Sequence, residues 1–363
     1  MRVGLIRLKY DLSGGAEKSL LLLARGLAAR GHRVWVICRS WQGEAPAGVT
    51  VHQVGLNRLG LAPRPVRFAR AMEQAMAQLN LDTYLSLDRA PGAPIFRAGD
   101  GCHASWLKRR QAHEPAWKGW SFAVNPKHRA ILALEKRMLS HPGLKTVIAN
   151  SRLVARELAD FYRVPESKLA VIRNGVDEEA LLPWRGGETR EKALAELGLA
   201  GPVSLFLGSG FERKGLAFAI EALPGVPDTT LLVAGRGKTG RFARQAATLG
   251  VSGRVVFLGV RDDAPRLLAA ANALILPTIY DPCSNACLEA LYLGRPVVTT
   301  EANGAAELLE DGWDGAVVAD PSDREALALA WSRALAMSPR PGDKVCGLAQ
   351  WLEATMEILE HSL

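Results

Sequence analysis

Short apolar runs alternate with amphipathic stretches along the whole chain. Val3-Gly4-Leu5-Ile6 reads as the core of a buried strand over residues 3–8, Leu20, Leu23 and Leu27 share one helical face ending near Gly31, and Val34-Trp35-Val36-Ile37-Cys38 is strand-like again. The second half repeats the order: a strand Val203 to Leu207, the loop Gly208-Ser209-Gly210-Phe211-Glu212-Arg213-Lys214-Gly215, a helix through Ile220-Glu221-Ala222-Leu223, and strands Thr230 to Ala234 and Val255 to Leu258. Strands alternating with helices predict α/β architecture with parallel, doubly wound sheets. Ligands of such sheets bind beyond the strand C-termini, where the glycine loops fall. At 363 residues the chain exceeds the size of one core, so two domains are expected. Residues 1–170 and 171–345 form them, with the boundary near Val171-Ile172-Arg173-Asn174-Gly175-Val176-Asp177 and a closing helix over 346–363.

The most informative local pattern is Tyr280-Asp281-Pro282-Cys283-Ser284-Asn285-Ala286-Cys287-Leu288-Glu289. It follows the buried strand Ala273-Leu274-Ile275-Leu276, and Ser284 or Asn285 can cap a helix that stops at Gly294 and Pro296. Asp281 then lies in the loop and Glu289 just over a turn into the helix. The two acids straddle a helix N-terminus, where free N–H groups attract anions and hydroxyls. That arrangement suits a polyol bearing phosphate, such as a nucleotide sugar. An ordinary buried loop with a helix-capping acid is the alternative.

Composition narrows the class. The hydrophobic fraction of 48% and mean hydropathy of +0.03 are those of a globular enzyme, and the longest apolar runs fall far short of a membrane span. Met1 leads directly into a strand, which predicts no signal peptide. The cysteines at 38, 102, 283, 287 and 346 show no disulfide framework, so a reducing, cytoplasmic setting is expected. Cys283 and Cys287 have helical spacing but no His or further Cys close in sequence, and no D-x-D pattern stands out, so no metal and no cofactor are expected.

The net charge of +8 hides an asymmetry. Residues 1–170 hold 27 Lys and Arg against 12 Asp and Glu, a balance of +15, whereas residues 171–363 hold 18 against 25, a balance of −7. The first half therefore suits an anionic partner. Its segment Trp106 to Arg137 carries Lys108, Arg109, Arg110, Lys118, Lys127, Arg129, Lys136 and Arg137 against Glu114 and Glu135, interleaved with Trp106, Trp117, Trp120 and Phe122. Three readings fit: an interfacial element on an anionic leaflet, a solvated basic helix with core aromatics, or a strip for single-stranded nucleic acid. On the residues alone all three stay open.

The motifs together resemble a known family. Gly14-Gly15-Ala16-Glu17, the boundary VIRNGVD, GSGFERKG and the acid pair with its trailing LEALYLGRPVV are similar to retaining glycosyltransferases of the GT-B fold, in the glycogen-synthase-like class. The stretches SWQGEAP at 40–46, FRAGDGCH at 96–103 and GSGFERKG running into AIEAL resemble lipopolysaccharide core glucosyltransferases acting on inner-core heptose. The chain departs from that pattern at Asp281, where Glu is usual, and in the following PCSNAC loop.

The resemblance implies two Rossmann-like domains facing across a cleft, an acceptor side in 1–170 and a nucleotide-sugar side in 171–345. It implies a nucleotide-sugar donor, UDP-glucose first, and an anionic glycolipid acceptor at the inner membrane's cytoplasmic surface, and the need for a lipid acceptor puts a membrane or phosphorylated glycolipid first for Trp106 to Arg137, with no nucleic acid as partner. Gly14 and Gly15 would let the backbone approach the diphosphate, or simply form a strand–helix turn. Arg213 and Lys214 would neutralise the leaving nucleoside diphosphate. Asp281 would touch the transferred hexose, with the N–H groups of Ser284, Asn285, Ala286 and Cys287 near sugar and phosphate, and Glu289 would accept from the ribose hydroxyls. Arg261 would lie by the base, although Asp262 or Asp263 as a helix cap also explains that loop. Asp100 would orient or deprotonate the acceptor hydroxyl, or is a turn aspartate. A transferase using UDP-N-acetylhexosamine or GDP-mannose, and a nucleotide-sugar epimerase, are the competing functions.

Overall fold

The computed structural model describes the chain except residues 11–14, 57–61, 115–123, 186–187, 338–343 and 362–363, with backbone only at 15–18 and 188–189. Gly14, Trp117, Lys118, Trp120 and Phe122 thus lie outside the described residues. The chain forms two compact units, Met1–Arg173 with Ala349–Leu363, and Asn174–Leu348.

The first unit is built on seven parallel strands: β1 (Arg2–Ile6), β2 (Arg33–Cys38), β3 (Val49–Gln53), β4 (Thr83–Ser86), β5 (Ile95–Ala98), β6 (Thr146–Ala149) and β7 (Leu169–Val171). They are ordered β3-β2-β1-β4-β5-β6-β7. The second unit has six parallel strands: β8 (Val203–Leu207), β9 (Thr230–Ala234), β10 (Val255–Gly259), β11 (Ala273–Leu276), β12 (Val297–Thr300) and β13 (Gly315–Val318), ordered β10-β9-β8-β11-β12-β13. Their residues are nearly all apolar because helices cover both faces of a parallel sheet. In each sheet the order reverses once, between β1 and β4 and between β8 and β11. Loops leaving neighbouring strands at that point turn to opposite faces and leave a crevice.

The first helix starts at Gly15, so Gly15 belongs to the helix Gly15–Ala29 and not to the preceding loop. In the second unit Trp331 is fully buried and donates from Nε1 to Ser204 Oγ at 2.7 Å, tying the helix Arg324–Leu335 to β8. The last helix, Leu348–His361, packs on the first unit. Its Trp351 is buried, with the Arg97 guanidinium of β5 5.0 Å from the ring centroid. Gly26 makes room for it, since a Cβ there would stand 2.5 Å from Leu352 Cδ2. Arg30 pairs with Glu353, and with Glu360 at 3.8 Å.

Trp351→Ala removes the largest apolar side chain of this helix and the ring beneath a buried guanidinium. It is expected to cost about 3–5 kcal/mol, read as a lower urea midpoint for the first unit. A loss below about 1 kcal/mol would show that the helix is not part of that core.

Candidate active site

The second unit's switch point gathers the sequence motifs. The loop after β8 is anchored by Phe211, buried edge-on against Phe206 and Phe242. The Arg213 carbonyl accepts from Ile279 N at 2.9 Å and from Thr278 Oγ1 at 2.9 Å, which fastens this loop to the one after β11. Two glycines make the approach possible. Gly215 has φ +81° and a Cβ there would stand 1.8 Å from the Pro277 carbonyl oxygen, while a Cβ on Gly208 would stand 2.5 Å from Lys214 Cε. Their spacing therefore follows from backbone and lysine-stem passage.

So fixed, Lys214 Nζ donates to Asp281 Oδ2 at 2.8 Å and to Ser284 Oγ at 3.4 Å. Arg213 Nη1 donates to the Tyr280 carbonyl at 2.7 Å and stands 3.5 Å from Asp281 Oδ2. Asp281 is 5% exposed and Lys214 8%. Burial alone would raise the Asp281 pKa, but Lys214 and then Arg213 outweigh it and hold the carboxyl below its ordinary value. Asp281 thus remains ionised, and it favours folding most above the ordinary carboxylate range. That contribution fades as pH falls through its lowered pKa.

The helix Asn285–Tyr292 begins at this pair. Its N-cap, Ser284, makes no side-chain cap bond; Asn303, after β12 and itself the N-cap of the short helix Gly304–Leu308, holds the Ser284 N–H. Asn303 Oδ1 accepts from Ser284 N at 3.2 Å and Ala305 N at 3.1 Å, and Nδ2 donates to Thr299 Oγ1 at 2.9 Å and Cys287 Sγ at 3.3 Å. Asp281 N donates to the Ala302 carbonyl and the Asp281 carbonyl accepts from Gly304 N, both at 2.9 Å. Of the four N–H groups in the expected donor contact, Ser284's therefore goes to Asn303, and Cys287's to the Ser284 carbonyl at 3.1 Å. Ala286 is buried in the first turn, and Asn285 is exposed and accepts at Oδ1 from Asn174 Nδ2 at 2.7 Å. Burial pushes the Cys287 thiol up to about 11, which suits packing and not nucleophilic attack.

Glu289 lies half-buried one turn further along this helix. Arg261 is exposed and clasped by Asp263, at 2.8 Å from Nε and 2.6 Å from Nη2. Asp263 makes no side-chain cap, and its bonds to Arg261 and Arg266 lower its pKa to about 2. In the first unit Asp100 is exposed on the loop after β5, with Oδ2 4.0 Å from Arg89 Nη1. Among the described residues no cluster of three or more His, Cys, Asp or Glu could hold a metal ion.

Sequence reasoning missed two clusters. The Asn303 cluster carried one signal, an Asn-Gly pair beginning three residues past the end of β12. The other centres on Glu135, counted in the sequence only as a charge opposing the basic segment but 2% exposed. It accepts from Arg89 Nη2 at 2.7 Å, from His103 N at 3.1 Å and from the Tyr162 hydroxyl at 2.5 Å. Burial works against the Arg89 charge, but Glu135 keeps its pKa above the ordinary value.

Known proteins with these features fall in one group. The family described as Glycosyltransferase Family 4 matches residues 13–180, and that described as Glycosyl transferases group 1 matches 201–337. Lipopolysaccharide glucosyltransferase WaaG of Escherichia coli K12 is 29% identical over 341 residues, 91% of this chain and 88% of that protein. The lipopolysaccharide core biosynthesis glycosyltransferase LpsE of Rhizobium meliloti is 38% identical over 130 residues, 36% of this chain and 38% of that one. A WaaG crystal structure superimposes with a TM-score of 0.80 at 26% identity, over 99% of this chain and 95% of that one. Anabaena HepE, solved in complex with UDP-glucose, shares the fold with a TM-score of 0.71 at 21% identity, over 99% of this chain and 100% of its own. The chain is therefore a GT-B glycosyltransferase of group 1 and family 4, a family of retaining hexosyltransferases.

Proposed function

We propose that this enzyme transfers glucose from UDP-glucose, with retention, to a lipopolysaccharide-core-type glycolipid on an anionic membrane surface. The observation that carries the reading is the buried Lys214–Asp281 pair with Arg213 beside it, at the crevice where an open parallel sheet takes its ligand. Breaking the glycosidic bond to the diphosphate puts negative charge on the β-phosphate. Two cations in an enclosed site meet that charge with little reorganisation. Asp281, held by Lys214, orients the hexose, and Glu289 one turn on receives the ribose hydroxyls. The departing phosphate oxygen takes up the acceptor proton, so the chemistry needs neither a protein nucleophile nor a metal. Full-length likeness to WaaG supports glucose and the core-type acceptor, and the UDP-glucose complex of HepE supports the donor class.

The basic half supports the membrane surface. Lys108, Arg129 and Lys136 are exposed, whereas Arg109 and Arg110 are engaged by Glu157 at 3.4 Å and Glu114 at 3.5 Å. No helix among the described residues is long and apolar enough to cross a membrane. Association would then be peripheral and electrostatic.

Lys214→Ala should lower kcat by about 10²–10³, and leaving Asp281 without its nearest cation should cost about 3–5 kcal/mol of stability. Adding Asp281→Asn to it should recover much of the stability and none of the turnover. Recovery of both would reduce the pair to a structural role. Charge reversal of Lys108, Arg129 and Lys136 should weaken binding to phosphatidylglycerol vesicles, with the wild-type interaction falling as salt rises. Equal partitioning to neutral and anionic vesicles would remove the membrane from this account.

A further inference from the structure

The strands of the second sheet begin at the end opposite the crevice, and that end holds a charge that its surroundings do not balance. Arg295, which directly precedes Pro296 and β12, is 1% exposed. Its backbone N–H donates to the Ala290 carbonyl at 2.8 Å. Its Nε, Nη1 and Nη2 are all buried with no hydrogen-bond partner among the described residues. A buried cation is costly unless it is paired and hydrogen-bonded, and a methionine or leucine side chain would fill such a place without that cost.

The neighbour at this end is a second arginine. The register that pairs Leu274 with Val297, and the bond from Leu274 N to the Pro296 carbonyl at 2.8 Å, set Asn272 beside Arg295 at the entry to β11 and β12. Asn272 Oδ1 accepts from Arg190 Nη2 at 2.7 Å and from Val203 N at 3.0 Å, so the helix Glu188–Leu197 brings Arg190 to the same strand entries. Arg190 is half-buried, and its Nε too is buried with no partner among the described residues. Among those residues no carboxylate lies within ion-pair distance of either arginine, in a half of the chain whose balance is −7. Burial, with the nearby charge of Arg190 adding to it, lowers the Arg295 pKa to about 10, which leaves it a cation at neutral pH.

We propose that Arg190 and Arg295 together bind a small oxyanion, inorganic phosphate or sulfate, which ties the helix Glu188–Leu197 to the entries of β11 and β12. A guanidinium presents parallel N–H groups to two oxygens at once, and a tetrahedral oxyanion has oxygens enough for two such forks. Arg190 gives the approach from solvent, and the burial of Arg295 excludes bulkier bearers of the same charge, such as a lipid headgroup. The four residues of β12, at about 3.3 Å each, separate this end from the Asn303 network at the crevice. The anion here is a support for the second unit and not a substrate, so the assignment stands apart from the transfer reaction.

Calorimetry and thermal unfolding of the whole enzyme with sodium phosphate, sodium sulfate and sodium chloride at matched ionic strength test it. Phosphate and sulfate should bind the wild type and raise its Tm saturably, whereas the general exclusion of these salts from protein surfaces raises Tm without saturating. Arg190→Gln, at the half-buried position, should weaken oxyanion binding by about tenfold or more. Arg295→Met should abolish it and should leave the Tm in anion-poor buffer equal to or above that of the wild type, because a costly buried charge is gone. Glu188→Gln, which removes the carboxylate nearest to Arg190 in sequence on its own helix, should change oxyanion affinity by less than about twofold. Oxyanion binding that is untouched in both arginine variants would belong elsewhere, the Lys214 crevice included, and would overturn the proposal. Chloride binding as tightly as phosphate would overturn it as well. So would an Arg295→Met protein that is less stable than the wild type without anion, or a Glu188→Gln protein that binds phosphate about tenfold more tightly, since either result would mean that the chain itself already supplies the counter-charge.

Discussion

The Lys214–Asp281 ion pair is the constraint on which the second unit's crevice depends. A carboxylate and an ammonium this deeply buried are each costly alone, and together they are tolerable only at close range with remaining donors and acceptors met. That requirement dictates what surrounds them. The Gly208 side must stay empty for the lysine stem, and Gly215 must press against the Pro277 carbonyl. The Arg213 carbonyl must be held by the loop after β11, and Asn303 must hold the start of the next helix. Three loops leaving β8, β11 and β12 are thereby locked into one arrangement. An incoming diphosphate would find its cations already oriented, which is the condition under which electrostatic stabilisation is most effective.

The first unit solves a related problem with a different set. Glu135 sits almost fully buried and satisfies Arg89, Tyr162 and a helix-starting N–H at once. It fixes the loop after β4 against the helix that contributes Lys127. Both units thus place a hydrogen-bonded charge network behind the loops at the switch point of their sheet. A parallel sheet leaves those loops without ladder partners, so side-chain bonds must define them.

Much of this was legible in the chain before any coordinates. Strands such as Leu231 to Val233 and Leu274 to Leu276 are continuous apolar runs because both sheet faces are covered, and periodicity reports that directly. The spacing from Asp281 to Glu289 placed one acid before the helix and the other within it, since helix start signals are local. Partners across the sequence were not legible. Nothing local says that Lys214 will meet Asp281, 67 positions away, or that Asn303 will hold the N–H of Ser284 at the helix start. Glu135 shows the same limit, since a glutamate among basic residues looks solvated until the fold brings Arg89 from 46 positions away. In the Arg261 loop only the alternative of a capping Asp263 side chain fails, because Asp263 binds two arginines instead.

The central claim is that the Lys214–Asp281 pair with Arg213 is a donor-phosphate site, and a crystal structure of the enzyme with UDP-glucose tests it most directly. The account predicts diphosphate oxygens within about 2.7–3.2 Å of Lys214 Nζ and the Arg213 guanidinium, with Glu289 at the ribose. A well-ordered UDP-glucose bound elsewhere, with Lys214 still engaged only by Asp281 and Ser284, would contradict it.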